Sequence, residues 1–511
     1  MGDILSLAAA NWPERVALVT GNERRTFADL HADSLRLANG LSRIASPGDR
    51  IAILARNVPA YVEALYGVPT AGMVLTLLNY RIHPREWAEI IAAAGARVLI
   101  VDREFVDELW PVLGDVPAIE HMFVIGGPSD GRGSSYEELV ASASPTRPQV
   151  EVSDFDTAWL VYTSGTTGSP KGAMITHRGI ITAAMTMMLA ISPTERDRML
   201  MTFPMCHVSA FQVPTYHLCG VPTVLMPAFE PSAFLELVAE HRITITSLAP
   251  TMASFVLRYP GYDTADLSSI RRLGYGGMAM PTSTARALAD RLGPVLVTGF
   301  GQTESTGWVT ALSPEDHVRA LSGQEQLLES CGRPLPLTAV AVMDEQMRRC
   351  PAGTPGELVI RGDLVTSGYW NDEKATAAAF TDGWLHTGDV ATVDKEGYVY
   401  LVDRIKDMII TGGQNVYSTQ VEQVLHKHEA VSEAAVIGVP DPVWGESVVA
   451  VIVPRPGAHV DPEDILRTCR AQLAGYKSPR KIHVVAELPK NITGKVLKRE
   501  LRGRYAPATA L

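Results

Sequence analysis

The sequence predicts an α/β protein with largely parallel sheets, followed by a smaller, self-sufficient α+β domain. Three features point there: helical and strand periodicities alternate early in the chain, apolar strands repeatedly run into glycine-rich turns, and the texture changes near residue 400. Phe27 to Leu41 carries apolar residues at helical spacing, Asp49 to Leu54 reads as a strand, Tyr61 to Ala71 as helix, and Arg97 to Asp102 as strand. Such alternation indicates parallel sheets covered by helices. Gly126 to Ser135, rich in Gly, Pro, Ser and Asp, reads as a surface loop. Trp159 to Tyr162 leads into Thr163-Ser164-Gly165, Arg272-Leu273 into Gly274 to Gly277, and Val295 to Val297 into Thr298 to Gly301. Ligands of open α/β sheets bind outside the carboxyl ends of strands, where small residues let them approach the backbone, so these ends imply one composite pocket. After the charged stretch Asp403 to Asp407, Thr419 with Glu422 reads as a capping box, Ala434 to Val439 and Val448 to Val453 as strands, and Asp461-Pro462 as a helix start. The expected domains are 1–402 and 403–511, with the boundary near Asp403.

Composition narrows the class of protein. The chain has 511 residues, 46% hydrophobic and 20% charged, which suits packed cores and excludes a disordered chain or a small disulfide module. A net charge of −11 provides no field for nucleic acid, so none is expected as a partner. Five cysteines, at 206, 219, 331, 350 and 469, without a C-x-x-C pair, suggest reduced thiols. The start lacks a basic signal region and no apolar run reaches the roughly 18 residues of a membrane span, so a cytoplasmic protein without stable membrane insertion is expected.

The strongest local signal is Tyr162 to Gly172, reading YTSGTTGSPKG. Glycines expose backbone N–H groups, hydroxyls add donors, and Lys171 supplies a point charge, which together equip a loop to hold polyphosphate. A P-loop would need Gly-Lys-Ser/Thr, whereas Lys171 lies between Pro170 and Gly172.

This loop resembles the phosphate loop of the adenylate-forming superfamily, which includes acyl-CoA synthetases, carrier-protein adenylation domains and beetle luciferases. The similarity continues in order through Phe300 to Glu304 (FGQTE), Thr387 to Asp389 (TGD), Asp403 to Asp407 (DRIKD), Gly412 to Asn415 (GGQN) and Pro489 to Lys495 (PKNITGK). It implies a large N-terminal domain with mixed, mainly parallel sheets and a distorted barrel, and a mobile C-terminal domain hinged near 403–407. It also implies a fatty-acid-CoA ligase type of activity, with ATP, Mg²⁺ and coenzyme A. By the same resemblance, Thr163, Ser164, Gly165, Thr166, Thr167, Gly168 and Lys171 hold the leaving phosphates. Thr303 touches the α-phosphate and Glu304 binds the metal. Tyr275, Gly276 and Gly277 form the adenine slot with Phe300 and Gly301. Asp389 and Arg404 hold the ribose, Lys495 carries adenylation, Lys406 is the hinge, and Gly412 and Gly413 line the thiol path. His207 borders the acyl pocket and its gate, with a satisfied core histidine as the other reading. Cys206, His207, His217 and Cys219 lack zinc-ligand spacing.

Gln414, Gln420, Met278-Ala279 and Phe300 depart from the common family pattern, around the adenine slot and the CoA-facing loop. A protein that performs only thiol transfer from a preformed adenylate, or one that loads a carrier protein, therefore stays open beside the CoA synthetase. Near the expected acyl pocket lie Phe203, Met205, Val208, Phe211, Val213, Met252, Tyr275, Met278 and Met280, with no Asp for an amine and no Arg for a second carboxylate; Glu230 reads as part of a strand-end turn. That points to a hydrophobic monoacid whose length and shape the methionines leave undecided. Homodimerisation is likewise open.

Overall fold

The computed structural model describes residues 1–114, 116, 118–127, 131–163, 170–277, 280–458, 460–490 and 496–506. By internal contacts the chain forms two compact units, Met1–Val340 with Ile360–Leu385, and Ala341–Val359 with His386–Leu511. The second unit thus takes in segments before Asp403. The boundary expected near Asp403 from the change of sequence texture falls inside the second unit.

The first unit contains two seven-stranded sheets. One runs, edge to edge, Leu296–Thr298, Arg272–Tyr275, Ile245–Leu248, Met199–Met201, Thr223–Leu225, Val16–Thr20 and Glu23–Thr26, and only its last pair is antiparallel. The other runs Ser134–Ser135, His121–Ile125, Ala96–Asp102, Arg50–Leu54, Val74–Leu77, Thr157–Thr163 and Lys171–Thr176, again with one antiparallel pair at its end. Its central strands Arg50–Leu54 and Val74–Leu77 are buried along nearly their whole length and, apart from Arg50 and Thr76, are apolar, as strands covered on both faces tend to be. The helix expected at Phe27 to Leu41 spans Phe27–Leu41. Thr26 caps it, accepting from the Asp29 N–H while Asp29 accepts from the Thr26 N–H.

In the second unit Ile409–Thr411, Gln414–Val416, Gly445–Pro454, Val431–Asp441 and Lys481–Val484 form one sheet. Its faces carry two apolar clusters, one around Val421, Leu425, Ile465 and Cys469, the other around Leu488 and Leu501. Asp461 caps Pro462–Gln472 as expected, its side chain accepting from the Glu463 N–H. The capping box at Thr419 and Glu422 is not formed. The helix is Ser418–His426, so Thr419 lies inside it and bonds the Val402 carbonyl, while Glu422 accepts from the Val436 N–H and pairs with Lys498. Contacts with distant strands and helices outbid the local pattern. All five cysteines are free thiols, and among the described residues no helix is long and apolar enough to cross a membrane.

Candidate active site

Thr163 and Lys171 are directly paired across the antiparallel strands Thr157–Thr163 and Lys171–Thr176. The candidate phosphate loop is therefore the connection of a hairpin, where a P-loop joins a strand to a helix. Ser164, Gly165, Thr166, Thr167 and Gly168 lie outside the described residues. Segment 366–370 adds to the free edge of this hairpin: the Met174 N–H donates to the Gly368 carbonyl at 3.0 Å, and the Trp370 N–H to the Gly172 carbonyl at 2.8 Å. The same segment reaches the turn that carries Glu304, because the Thr366 N–H donates to the Glu304 carbonyl at 2.7 Å. Tyr369 joins both. Its hydroxyl donates to Glu304 Oε1 at 2.9 Å, and its ring centroid lies 5.2 Å from Lys171 Nζ. Burial, with the Glu304 charge beside it, raises the Tyr369 pKa, so the phenol stays protonated and donates. Sequence reasoning missed Tyr369; the only signal was an aromatic pair behind Gly368.

Glu304 sits on the single turn Thr303–Ser305. That turn is fixed from within and from outside: the Gln302 N–H donates to Ser305 Oγ at 2.9 Å, and Thr306, at φ 57°, donates its hydroxyl to the distant Leu364 carbonyl at 2.7 Å. A buried threonine in the left-handed region persists only where its surroundings impose it, and here it terminates the turn that presents Glu304. Thr303 and Glu304 are both partly exposed.

Two of the expected strand ends meet. Arg272–Tyr275 and Leu296–Thr298 are parallel neighbours, with Tyr275 opposite Thr298, so the turns at Gly276-Gly277 and Gly299 to Gly301 lie side by side. Their glycines serve different ends. A Cβ on Gly301 would come within 2.3 Å of the Gly307 carbonyl, so this glycine admits its own backbone, not a ligand. A Cβ on Gly276 would meet nothing closer than Trp308 Nε1 at 3.8 Å, and one on Gly277 nothing within 4 Å, so the open glycines are those of the first turn. Trp308, absent from the sequence reading, thus borders this slot. The Tyr275 hydroxyl lies 2.8 Å from His317 Nε2 and His317 Nδ1 lies 2.7 Å from the Ser313 carbonyl. Since a carbonyl only accepts, Nδ1 carries the proton and Nε2 accepts from Tyr275. Burial lowers the His317 pKa, which keeps the ring neutral, and Tyr275 presents to the slot its ring and backbone only. Phe300 is buried, with its N–H bonded to Thr310 Oγ1 at 3.0 Å.

His207 follows strand Met199–Met201 and starts the short helix Val208–Phe211. The preceding segment is pinned by Asn57, which donates to the Phe203 carbonyl at 2.9 Å and accepts from the Met205 N–H at 2.9 Å. Burial first, then the charge of Arg81, pushes the His207 pKa down to about 4, so the imidazole is neutral at pH 7. Of the expected acyl-pocket residues, Met205, Phe211, Val213, Tyr275 and Met280 are buried, while Met278 lies outside the described residues. His217 is a core residue, 2.8 Å from the Tyr66 hydroxyl.

In the second unit, Asp389 and Arg404 face each other across strands Trp384–Val393 and Val399–Arg404, with Oδ1 and Nε 2.5 Å apart. Lys406 is exposed on the single turn Ile405–Asp407. Arg502 of helix Lys498–Tyr505 holds that turn, pairing with Asp407 at 2.8 Å and donating to the Lys406 carbonyl. Lys495 lies outside the described residues; on either side of it, the Leu497 N–H donates to the Pro489 carbonyl at 2.8 Å.

Gly412 and Gly413 are the two loop residues of the hairpin Ile409–Thr411/Gln414–Val416, at φ 56° and 75°. A two-residue hairpin turn with both φ values positive favours glycine, most strongly at its second position, irrespective of any ligand. Gly413→Ala is therefore expected to lower unfolding stability by roughly 1–2 kcal/mol without CoA present, read from the denaturant midpoint. Unchanged stability with slower acyl transfer would assign the glycine to the thiol path alone.

A family model described as AMP-binding enzyme matches residues 5–370, and one described as AMP-binding enzyme C-terminal domain matches residues 420–495. The chain is 38% identical over 497 residues to a feruloyl-CoA synthase of Amycolatopsis sp, covering 96% of each chain. It is 32% identical to the fatty acid–[acyl-carrier-protein] ligase ScoC of Streptomyces coeruleorubidus, covering 98% of this chain and 95% of that one. The solved structure of a Mycobacterium tuberculosis fatty acyl CoA synthetase superposes with a TM-score of 0.81 at 33% identity, covering 99% of this chain and 98% of that one. The chain belongs to the AMP-binding, adenylate-forming enzyme family, in its acyl-CoA synthetase branch, and is an acid–thiol ligase.

Proposed function

We propose that the protein activates a hydrophobic monocarboxylic acid with ATP, releasing pyrophosphate, and then transfers the acyl group to coenzyme A, releasing AMP. The observation that carries this reading is the meeting of Lys171 and Glu304 on Tyr369, in a unit whose Gly276-Gly277 turn offers an open slot for a flat base. A carboxylate resists direct thiol attack because its carbon is electron-rich and oxide is a poor leaving group; joining it to the α-phosphorus gives it a good one. The carboxylate oxygen attacks the α-phosphorus in line as the bond to pyrophosphate breaks, so the enzyme's work is alignment and charge neutralisation. Lys171 and the loop from Thr163 to Gly168 take the leaving phosphates, Thr303 the α-phosphate, Asp389 and Arg404 the ribose, and Lys495 the carboxylate and α-phosphate together.

The chemistry of Glu304 fits Mg²⁺. Among the described residues no group of three or more His, Cys, Asp or Glu side chains forms a metal cage, and Mg²⁺ is commonly held by one or two carboxylates plus substrate phosphates. Bound there, the ion would neutralise phosphate charge. The neutral His207 borders the acyl chain without adding charge to an apolar pocket. For the second step the segment 403–511 would turn about Lys406 to bring Gly412 and Gly413 to the thiol, whose sulfur attacks the acyl carbon as the bond to AMP breaks. The ScoC relative supports a second reading, in which the accepting thiol is that of a carrier protein.

The test is a panel of fatty, hydroxycinnamic and bulky polycyclic acids with ATP, and separately their synthetic adenylates without ATP, read as pyrophosphate release and CoA thioester. Both products from at least one acid are expected. Pyrophosphate without CoA thioester would favour the carrier protein, thioester from adenylates alone a transfer-only enzyme, and neither product would overturn the proposal.

A further inference from the structure

Tyr369 is poorly accounted for by packing alone. A half-buried tyrosine usually points its hydroxyl to water or to a backbone carbonyl; this one donates to a carboxylate 65 positions earlier in the chain while its ring faces a lysine on the neighbouring strand. Its backbone is set as part of the edge added to Lys171–Thr176, with Ala173 and Tyr369 bridged antiparallel. The Thr366 N–H ties the same segment to the Glu304 carbonyl. One short segment thus fixes both the backbone and the side chain of Glu304, and does so from beside the strand that bears Lys171.

We infer that Tyr369 is a positioning residue that sets the Glu304 carboxylate with its hydroxyl and seats the Lys171 ammonium on its ring, so that a metal-binding anion and a phosphate-binding cation are placed by one side chain. This rests on the reading of Glu304 as the metal ligand proposed above. The two groups are of opposite charge type, and each is met by a different part of the same side chain, the carboxylate by the hydroxyl and the ammonium by the ring. Tyr369 satisfies Oε1 with a neutral donor and Lys171 with a neutral π-face, so both charges stay available to ligands. The hydroxyl and the ring have separable duties.

The test uses the full chain with Mn²⁺ as the probe and α,β-methylene ATP as a nucleotide that cannot be cleaved at the reacting bond, followed by electron paramagnetic resonance. Tyr369→Phe keeps the ring and is expected to raise the Mn²⁺ concentration for half-saturation about three- to tenfold, the scale of one hydrogen bond to a charged group partly replaced by water. Thioester formation from a synthetic acyl-adenylate in the absence of ATP should be unchanged, a separation that a general loss of structure would not produce. Tyr369→Leu, which removes ring and hydroxyl, should in addition weaken metal-free nucleotide binding. Unaltered Mn²⁺ affinity in Tyr369→Phe, or an equal fall in both half-reactions, would overturn the inference. Glu304→Gln serves as the reference: if it too leaves Mn²⁺ affinity unaltered, the metal assignment of Glu304 fails first and takes this inference with it.

Discussion

Replacing Lys495 with alanine is expected to slow acyl-adenylate formation by roughly 10²–10³-fold, the usual consequence of removing one preorganised group that stabilises charge developing in a transition state. Thioester formation from a synthetic adenylate should fall by less than about threefold, because that step creates no new bond to phosphorus. The contrast follows from where charge moves. As the carboxylate oxygen approaches the α-phosphorus, two anionic groups are forced together, and an ammonium touching both relieves the repulsion most at the moment of closest approach. When the thiol displaces AMP, the negative charge departs from the acyl carbon, and the same ammonium is no longer needed there. Measuring pyrophosphate release and thioester formation separately on Lys495→Ala checks both halves. An equal loss in the two would remove Lys495 from the role proposed and leave Lys171 as the cation to examine.

How much of this was legible in the chain depended on whether the determining contacts were local. Helix Phe27–Leu41 could be read to the residue because its cap, Thr26 with Asp29, and its apolar stripe lie within a single stretch. The start of Pro462–Gln472 was legible for the same reason. The pattern Thr419 to Glu422 looked equally good and failed, since Thr419 and Glu422 are both engaged by elements far away in sequence. Family motifs point to Glu304 and Lys171, yet neither motif contains Tyr369, which touches both. Tyr369 became visible only when segment 366–370 was seen to add to the hairpin edge, a tertiary event with no periodic signature. The glycines mark a subtler limit. Gly276, Gly301 and Gly413 all read as room for a ligand, whereas Gly301 makes room for the Gly307 carbonyl and Gly413 satisfies a left-handed turn. A sequence records that a side chain is missing without recording what its absence admits.

The largest expected effect on folding lies away from the ligand sites. Glu63, on helix Pro59–Thr70, has a side chain only 3% exposed, ion-paired to Arg25 Nη1 and accepting from the Tyr136 hydroxyl at 2.5 Å. Burial holds its pKa above the ordinary carboxylate value, with Arg25 and Tyr136 opposing. Arg25→Ala leaves a buried carboxylate without its cation and is expected to cost about 3 kcal/mol, the lower end of the range for breaking a buried pair because the Arg25 side chain is 26% exposed and water can enter in its place. Tyr136→Phe, which removes one neutral donor, should cost about 1–2 kcal/mol. The pH dependence has a definite sign. A carboxyl whose folded pKa lies above its unfolded value penalises folding once pH climbs through the folded pKa, and the penalty vanishes below the unfolded one. The deficit of Arg25→Ala should therefore be greatest at mildly alkaline pH and shrink as the pH is lowered toward the ordinary carboxylate range, because the raised Glu63 pKa lets the carboxyl take up a proton first. Adding Glu63→Gln to Arg25→Ala removes the stranded charge and should restore much of the loss at the higher pH. Denaturant midpoints of the single and double variants at both pH values decide it: a deficit that does not vary with pH, or that the second substitution leaves untouched, would show that Arg25 acts through its packing against Glu23 and Asp33 and not through the buried charge.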